Sequence, residues 1–100
     1  MNQILEASEY FMPVISMFYG IIVRMFYFDT AKHKTPHIHV QYGEQQIVIA
    51  IPTGKVLKGK IKFSKLKLVQ AWIEIHQDDL IADWKLAVDG QKVFKIDPLR

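Results

Sequence analysis

The sequence predicts an α+β domain: an antiparallel β-sheet of three to five strands, followed by a helical pair packed on one face. Between Val14 and Lys60, short runs rich in β-branched and aromatic residues are separated by Tyr19-Gly20, Pro36, Gly43 and Pro52-Thr53-Gly54, which is strand-and-turn punctuation. From Ser64 onward apolar residues recur instead at three- and four-residue steps, the period of a helix face. One hundred residues, half of them apolar, supply one modest core.

The elements follow in order. Residues 1–11 hold too short an apolar run to stand alone and are read as an N-terminal extension, with the domain over residues 12–100. Pro13 sets an extended start for a strand at Val14 to Phe18. Ile21 to Phe28 is expected to be a central strand covered on both faces, with Arg24 its one charge. The polar stretch Asp29 to Thr35 connects it to Pro36, which forces Thr35 out of helical geometry and opens a strand from His37 to Tyr42. After the turn Gly43-Glu44-Gln45, Ile47, Ile49 and Ile51 alternate against Gln46, Val48 and Ala50 in a further strand. Lys55 to Lys60 then reads as an edge strand blunted by lysine.

Ser64 is expected to cap the first helix, where Leu66, Val69, Trp72, Ile73 and His76 share a face. Asp78 is expected to cap a second helix that Gly90 stops, and Lys92 to Ile96 to add a last short strand. Trp72 and Trp84 are expected in the core.

Composition bounds the chemistry. The absence of cysteine excludes disulfides, thiolate metal sites and cysteine nucleophiles, and fits the cytoplasm. The apolar run Met17 to Phe28 is interrupted by Gly20 and Arg24 and is too short to span a membrane, and the N-terminus lacks a basic-then-apolar leader. The net charge is only +3, but residues 55 to 67 hold Lys55, Lys58, Lys60, Lys62, Lys65 and Lys67 without one acid. Such a block attracts polyanions or an acidic partner.

The sharpest chemical signal is His37 and His39, which strand alternation places on one face. They supply two ligands for a divalent metal, with His33, His76, Asp29 or Glu44 as candidates to complete the set. Alternatively, His37, His39 and His33 are the general acid and base of a metal-independent ribonuclease whose lysines hold the phosphate. The third reading is a binding module using Arg24, Tyr42, Lys58, Lys60, Lys62 and His76, with a protein or RNA partner and with self-association open. Glycine-rich phosphate loops, nucleophilic serine elbows and a basic recognition helix do not occur.

Met12-Pro13-Val14-Ile15, Gly20-Ile21, Pro36-His37-Ile38-His39, Tyr42-Gly43, Leu66-Lys67-Leu68-Val69, Trp72, His76, Leu80, Trp84 and Ile96-Asp97-Pro98-Leu99 form an ordered set. On these residues the chain resembles the small bacterial domain-of-unknown-function family 4160, from Met12 nearly to the end. The family pattern also carries histidine at positions 33, 37, 39 and 76, which implies a shared role for His33, His37, His39 and His76. It differs at Thr35, at Lys62 and Ser64, at Ala71 and at Asp83, where the family usually has proline, proline and arginine, glutamate and asparagine. The family brings no established activity. Its gene setting is similar to that of toxin and antitoxin pairs, which implies a component of such a module acting through a partner protein.

Overall fold

The computed structural model describes residues 11–29 and 35–100. Five strands, β1 (Val14–Phe18), β2 (Ile21–Arg24), β3 (His37–Tyr42), β4 (Gln45–Ala50) and β5 (Val56–Lys60), form one antiparallel sheet in the spatial order β1-β2-β3-β4-β5. Two helices follow, α1 (Phe63–Ile75) and α2 (Gln77–Val88). The expected α+β architecture is therefore present, with the sheet at its full five strands. Residues 1–10 and His33 lie outside the described residues.

One face of the sheet makes the core. Ile21 and Val23 of β2, Ile38 and Val40 of β3, and Ile47 and Ile49 of β4 are buried in one cluster with Val69, Trp72 and Ile73 of α1 and Leu80 and Trp84 of α2. Alternation then assigns Ile22, Arg24, His39, Gln41, Gln46 and Val48 to the opposite face, which the helices leave open. The expectation of a strand covered on both faces is thus corrected: β2 is fully buried only at Ile21 and Val23.

Local chemistry explains the turns. Tyr19 and Gly20 both take positive φ, 50° and 79°, the two-residue geometry that suits the twist of a tight hairpin. Here Gly20 also meets the Tyr42 ring, 3.2 Å from where a Cβ would stand.

The expected strand to Phe28 is cut short at Arg24. Beyond it the amides of Met25, Tyr27 and Phe28 bond to the carbonyls of Pro13, Phe11 and Ala87 instead of to β3, and Phe28 adopts a left-handed φ of 57°. Lys92 to Ile96 is likewise not a strand. It crosses β1 with the Ile96 amide on the Ile15 carbonyl, burying Val93 and Ile96.

Neither expected helix cap holds. α1 starts from Lys62, whose amide donates to Gln45 Oε1, so Ser64 falls inside the first turn. α2 starts from His76, and Asp78 and Asp79 lie in its first turn, where they suit the positive end of the helix dipole. Gly90 does end α2: its amide bonds to the Ala87 carbonyl at φ 71°, and its missing Cβ makes room for the Phe28 ring, which a methyl group would overlap at 2.2 Å.

Asp83 ties α2 to the final segment by accepting a bond from the Phe94 amide on Oδ1 at 2.9 Å, while its buried Oδ2 has no partner. Burial pushes this carboxyl upward, the Phe94 amide opposes the shift, and nearby Asp79 adds to it. The folded protein therefore holds the proton more tightly than the unfolded chain, and stability falls as pH rises from the ordinary carboxylate range through the raised pKa. Asp83→Asn, which restores the residue usual in the similar family, keeps the acceptor for Phe94 and removes the buried charge. It is expected to raise stability by about 1 kcal/mol near neutral pH, with the gain gone below about pH 4. Urea unfolding at both pH values checks this; a pH-independent loss would show that the carboxylate is not a liability.

Candidate metal centre

β3 begins where the chain needs it. Pro36 holds the approach extended, and His37 and His39 emerge two residues apart with Ala50 and Val48 opposite them on β4. The two rings meet edge-on, with centroids 5.2 Å apart. Asp29 is delivered to them by the turn after β2, which the left-handed Phe28 bends and the Phe28 amide bond to Ala87 pins to the end of α2.

The three side chains converge on one point. Asp29 Oδ2 lies 2.8 Å from His37 Nε2 and 2.5 Å from His39 Nε2. All three potential ligand atoms fall within 4.8 Å of one another. His37 Nδ1 is 2.7 Å from the carbonyl of Thr35. A carbonyl only accepts, so Nδ1 donates to it, and this bond aims Nε2 at the Asp29 carboxylate. The ring is wholly buried and packs 4.9 Å from Trp84. His39 is partly open, and Phe26 stacks flat on it at 3.7 Å and 4°.

Burial alone would raise the Asp29 carboxyl, but hydrogen bonds from His39 and His37, with their charge, outweigh it and hold the pKa below the ordinary value. The group is therefore a carboxylate facing two imidazoles. A tetrahedral ion with bonds of ~2.0–2.2 Å keeps its ligands ~3.4 Å apart, so the Asp29 oxygen must draw back from the two nitrogens by roughly half to one ångström to admit one. The arrangement can hold a divalent metal on two nitrogens and one oxygen.

Residues 20–85 match the family described as Domain of unknown function (DUF4160). The chain belongs to this family. No relative among curated proteins and no solved structure matches it.

The other predicted site residues of this DUF4160 domain are spread more widely. Arg24 is paired with His39 across β2 and β3, donates from Nη1 to the Met12 carbonyl at 2.7 Å, and lines a groove on the open face together with His39 and Lys58. Lys60 is exposed on the same strand as Lys58, and exposed Lys62 leads into α1. Tyr42 is partly buried under Lys65, whose Nζ sits 4.9 Å from the ring centroid.

Of the described candidates to complete the histidine pair, Asp29 is the one that joins it. Glu44 sits in the turn at the far end of β3. His76 occupies the α1–α2 junction, 5.6 Å from the Trp72 ring and 3.8 Å from Asp79, and is not in the cluster. Sequence reasoning missed Phe26 as the support beneath His39. The signal was available in alternation, because Phe26 follows Ile22 and Arg24 at steps of two. It also missed the Thr35 carbonyl, a backbone group that residue identity does not reveal. Among the described residues, no helix is long and apolar enough to cross a membrane.

Proposed function

We propose that this is a divalent-metal-binding domain in which Asp29, His37 and His39 hold the ion and leave coordination positions open toward the groove. The observation that carries it is the bond from His37 Nδ1 to the Thr35 carbonyl. Metal-ligating histidines characteristically donate the second ring nitrogen to a carbonyl or carboxylate, which fixes the tautomer and aims the other lone pair. Two imidazoles and one carboxylate suit zinc, iron(II) or manganese, and three ligands among the described residues fit a site that keeps room for water or substrate.

Complete burial of His37, with both ring nitrogens engaged, supports a ligand role over that of a general acid or base, which must reach a substrate proton. Titration of chelator-treated protein with zinc or manganese by calorimetry is expected to show one ion per chain. At 100 times Kd the ion should add about 2.7 kcal/mol to unfolding stability. His39→Ala should remove both effects and His76→Ala neither; absence of binding, or equal binding by His39→Ala, sinks the reading.

A second reading concerns a protein partner, as expected for a component of a toxin–antitoxin type of module. It is favoured by β5, which pairs on one side alone and exposes Lys58 and Lys60, with Lys62 following. Exchanging these three lysines for glutamate is expected to abolish a salt-sensitive association with the product of the adjacent gene in size-exclusion chromatography. An unchanged complex would dismiss the lysine edge as its interface.

A further inference from the structure

The open face of the sheet has a charge pattern that the metal reading leaves unexplained. A groove of about 840 Å³ crosses this face, lined in part by Arg24, Phe26, His39, Gln41, Val48 and Lys58. The strand registers put Arg24 opposite His39, His39 opposite Val48, and Val48 opposite Lys58, in one row across β2 to β5. Lys60 stands beside that row, opposite Gln46. Among the described residues no carboxylate lines the groove.

Spacing narrows the ligand. The backbones of Arg24 and Lys58 lie three strand spacings apart, about 14 Å, and Arg24 is tethered to the Met12 carbonyl, so a ligand that follows the row meets the two cations at separate points. A chain with negative charge at regular intervals meets both. Beside His39 the floor offers apolar surface from Phe26 and Val48 and amides from Gln41 and Gln46. That combination fits planar bases with polar edges strung on a phosphate backbone, and it fits a carboxylate-rich peptide less well. His39 belongs both to the groove and to the metal cluster, so a strand lying in the groove passes the ion's open side.

We propose that the open face binds a single-stranded nucleic acid, its backbone running from Arg24 to Lys58 with one phosphate at the ion beside His39. The phosphate–ion contact rests on the metal reading above; the groove contacts do not. Arg24 spends one of its N–H groups on Met12 and has others to present to phosphate. Recognition through the backbone makes binding indifferent to the sugar and strongly dependent on salt, with each phosphate neutralised contributing about 0.7 to the logarithmic salt slope.

Fluorescence anisotropy with labelled ten-nucleotide oligo-U and oligo-dT tests this on chelated and on zinc-loaded protein. Both oligonucleotides are expected to bind chelated protein with a salt slope. Lys58→Glu should weaken both about tenfold at low salt and reduce the slope by roughly one contact. Zinc should tighten wild-type binding, and His39→Ala should lose that increment. No binding to either form overturns the proposal, as does affinity untouched by Lys58→Glu and Arg24→Gln in variants shown by circular dichroism to be folded. Equal competition by poly-glutamate overturns it as well, in favour of an acidic protein. If calorimetry shows zinc bound but anisotropy shows no increment, the phosphate–ion contact is wrong and the metal reading stands. If calorimetry shows no zinc while the salt-sensitive binding persists, the metal reading fails, the phosphate–ion contact fails with it, and the groove contacts are upheld.

Discussion

Replacing Trp72 with alanine is expected to lower unfolding stability by about 3–5 kcal/mol, the range for emptying a large buried aromatic site. Trp72 is fully buried at the junction of three elements: it packs on the Phe18 ring of β1 at 5.3 Å, lies among the core residues of α1, and donates from Nε1 to the Asp97 carbonyl at 2.7 Å. Its removal opens a cavity between sheet and helix and also releases the segment that buries Val93 and Ile96. Domains of this size are typically stable by only ~5–15 kcal/mol, so the variant should be near the edge of folding. Trp72→Phe keeps most of the ring and loses the hydrogen bond, and should cost about 1–2 kcal/mol. Urea unfolding followed by circular dichroism measures both. A near-neutral result for alanine would mean that the ring does not hold the core together.

Asp29→Ala should be the most damaging change at the candidate metal centre, and its effect divides into two parts. In metal-free protein it strips the acceptor from His37 Nε2, a nitrogen on a fully buried ring, and from His39 Nε2. Leaving such a group unsatisfied costs about 1–3 kcal/mol. In metal-containing buffer the variant should also lose affinity by on the order of 100-fold or more, since loss of a partner one shell further out already costs 10–100-fold. Asp29→Asn separates the two parts, because its carbonyl still accepts one bond but makes a poor metal ligand. Equal stability and equal metal uptake in wild type and Asp29→Ala would remove Asp29 from the site.

What was legible in the sequence follows from the range of the forces involved. The strand from His37 to Tyr42 was read with both ends correct, because Pro36, Gly43 and a period of two are local signals. Even the juxtaposition of His37 and His39 needed nothing beyond alternation. By contrast, Asp29 was one of four equal candidates. Its selection depends on the Phe28 turn and the bond to Ala87, a contact with a helix some sixty residues away that no local pattern encodes. The helix starts failed for a similar reason: Gln45, from the sheet, engages the Lys62 amide and allows α1 to begin ahead of the serine that local propensity favours. The strand expected at Lys92 to Ile96 has the right composition, yet it bonds to β1 through the Ile96 amide and gives the Phe94 amide to Asp83.

The lateral order of the sheet repeats the order of the chain, and this bears on how the molecule reaches its fold. Each strand finds its partner by closing a loop to its immediate neighbour, so little chain entropy is lost before pairing is rewarded. Pairing can begin at any of these hairpins and spread sideways without a crossover to be threaded. Even Asp29 and His37 are only eight residues apart, so the ligands of the middle hairpin come together early. The contacts that span long stretches are those of the helical layer, such as Trp72 with Phe18 and, 25 residues away, with Asp97. Topology thus places the closure of long loops in the docking of α1 and the final segment, and not in the search among strands.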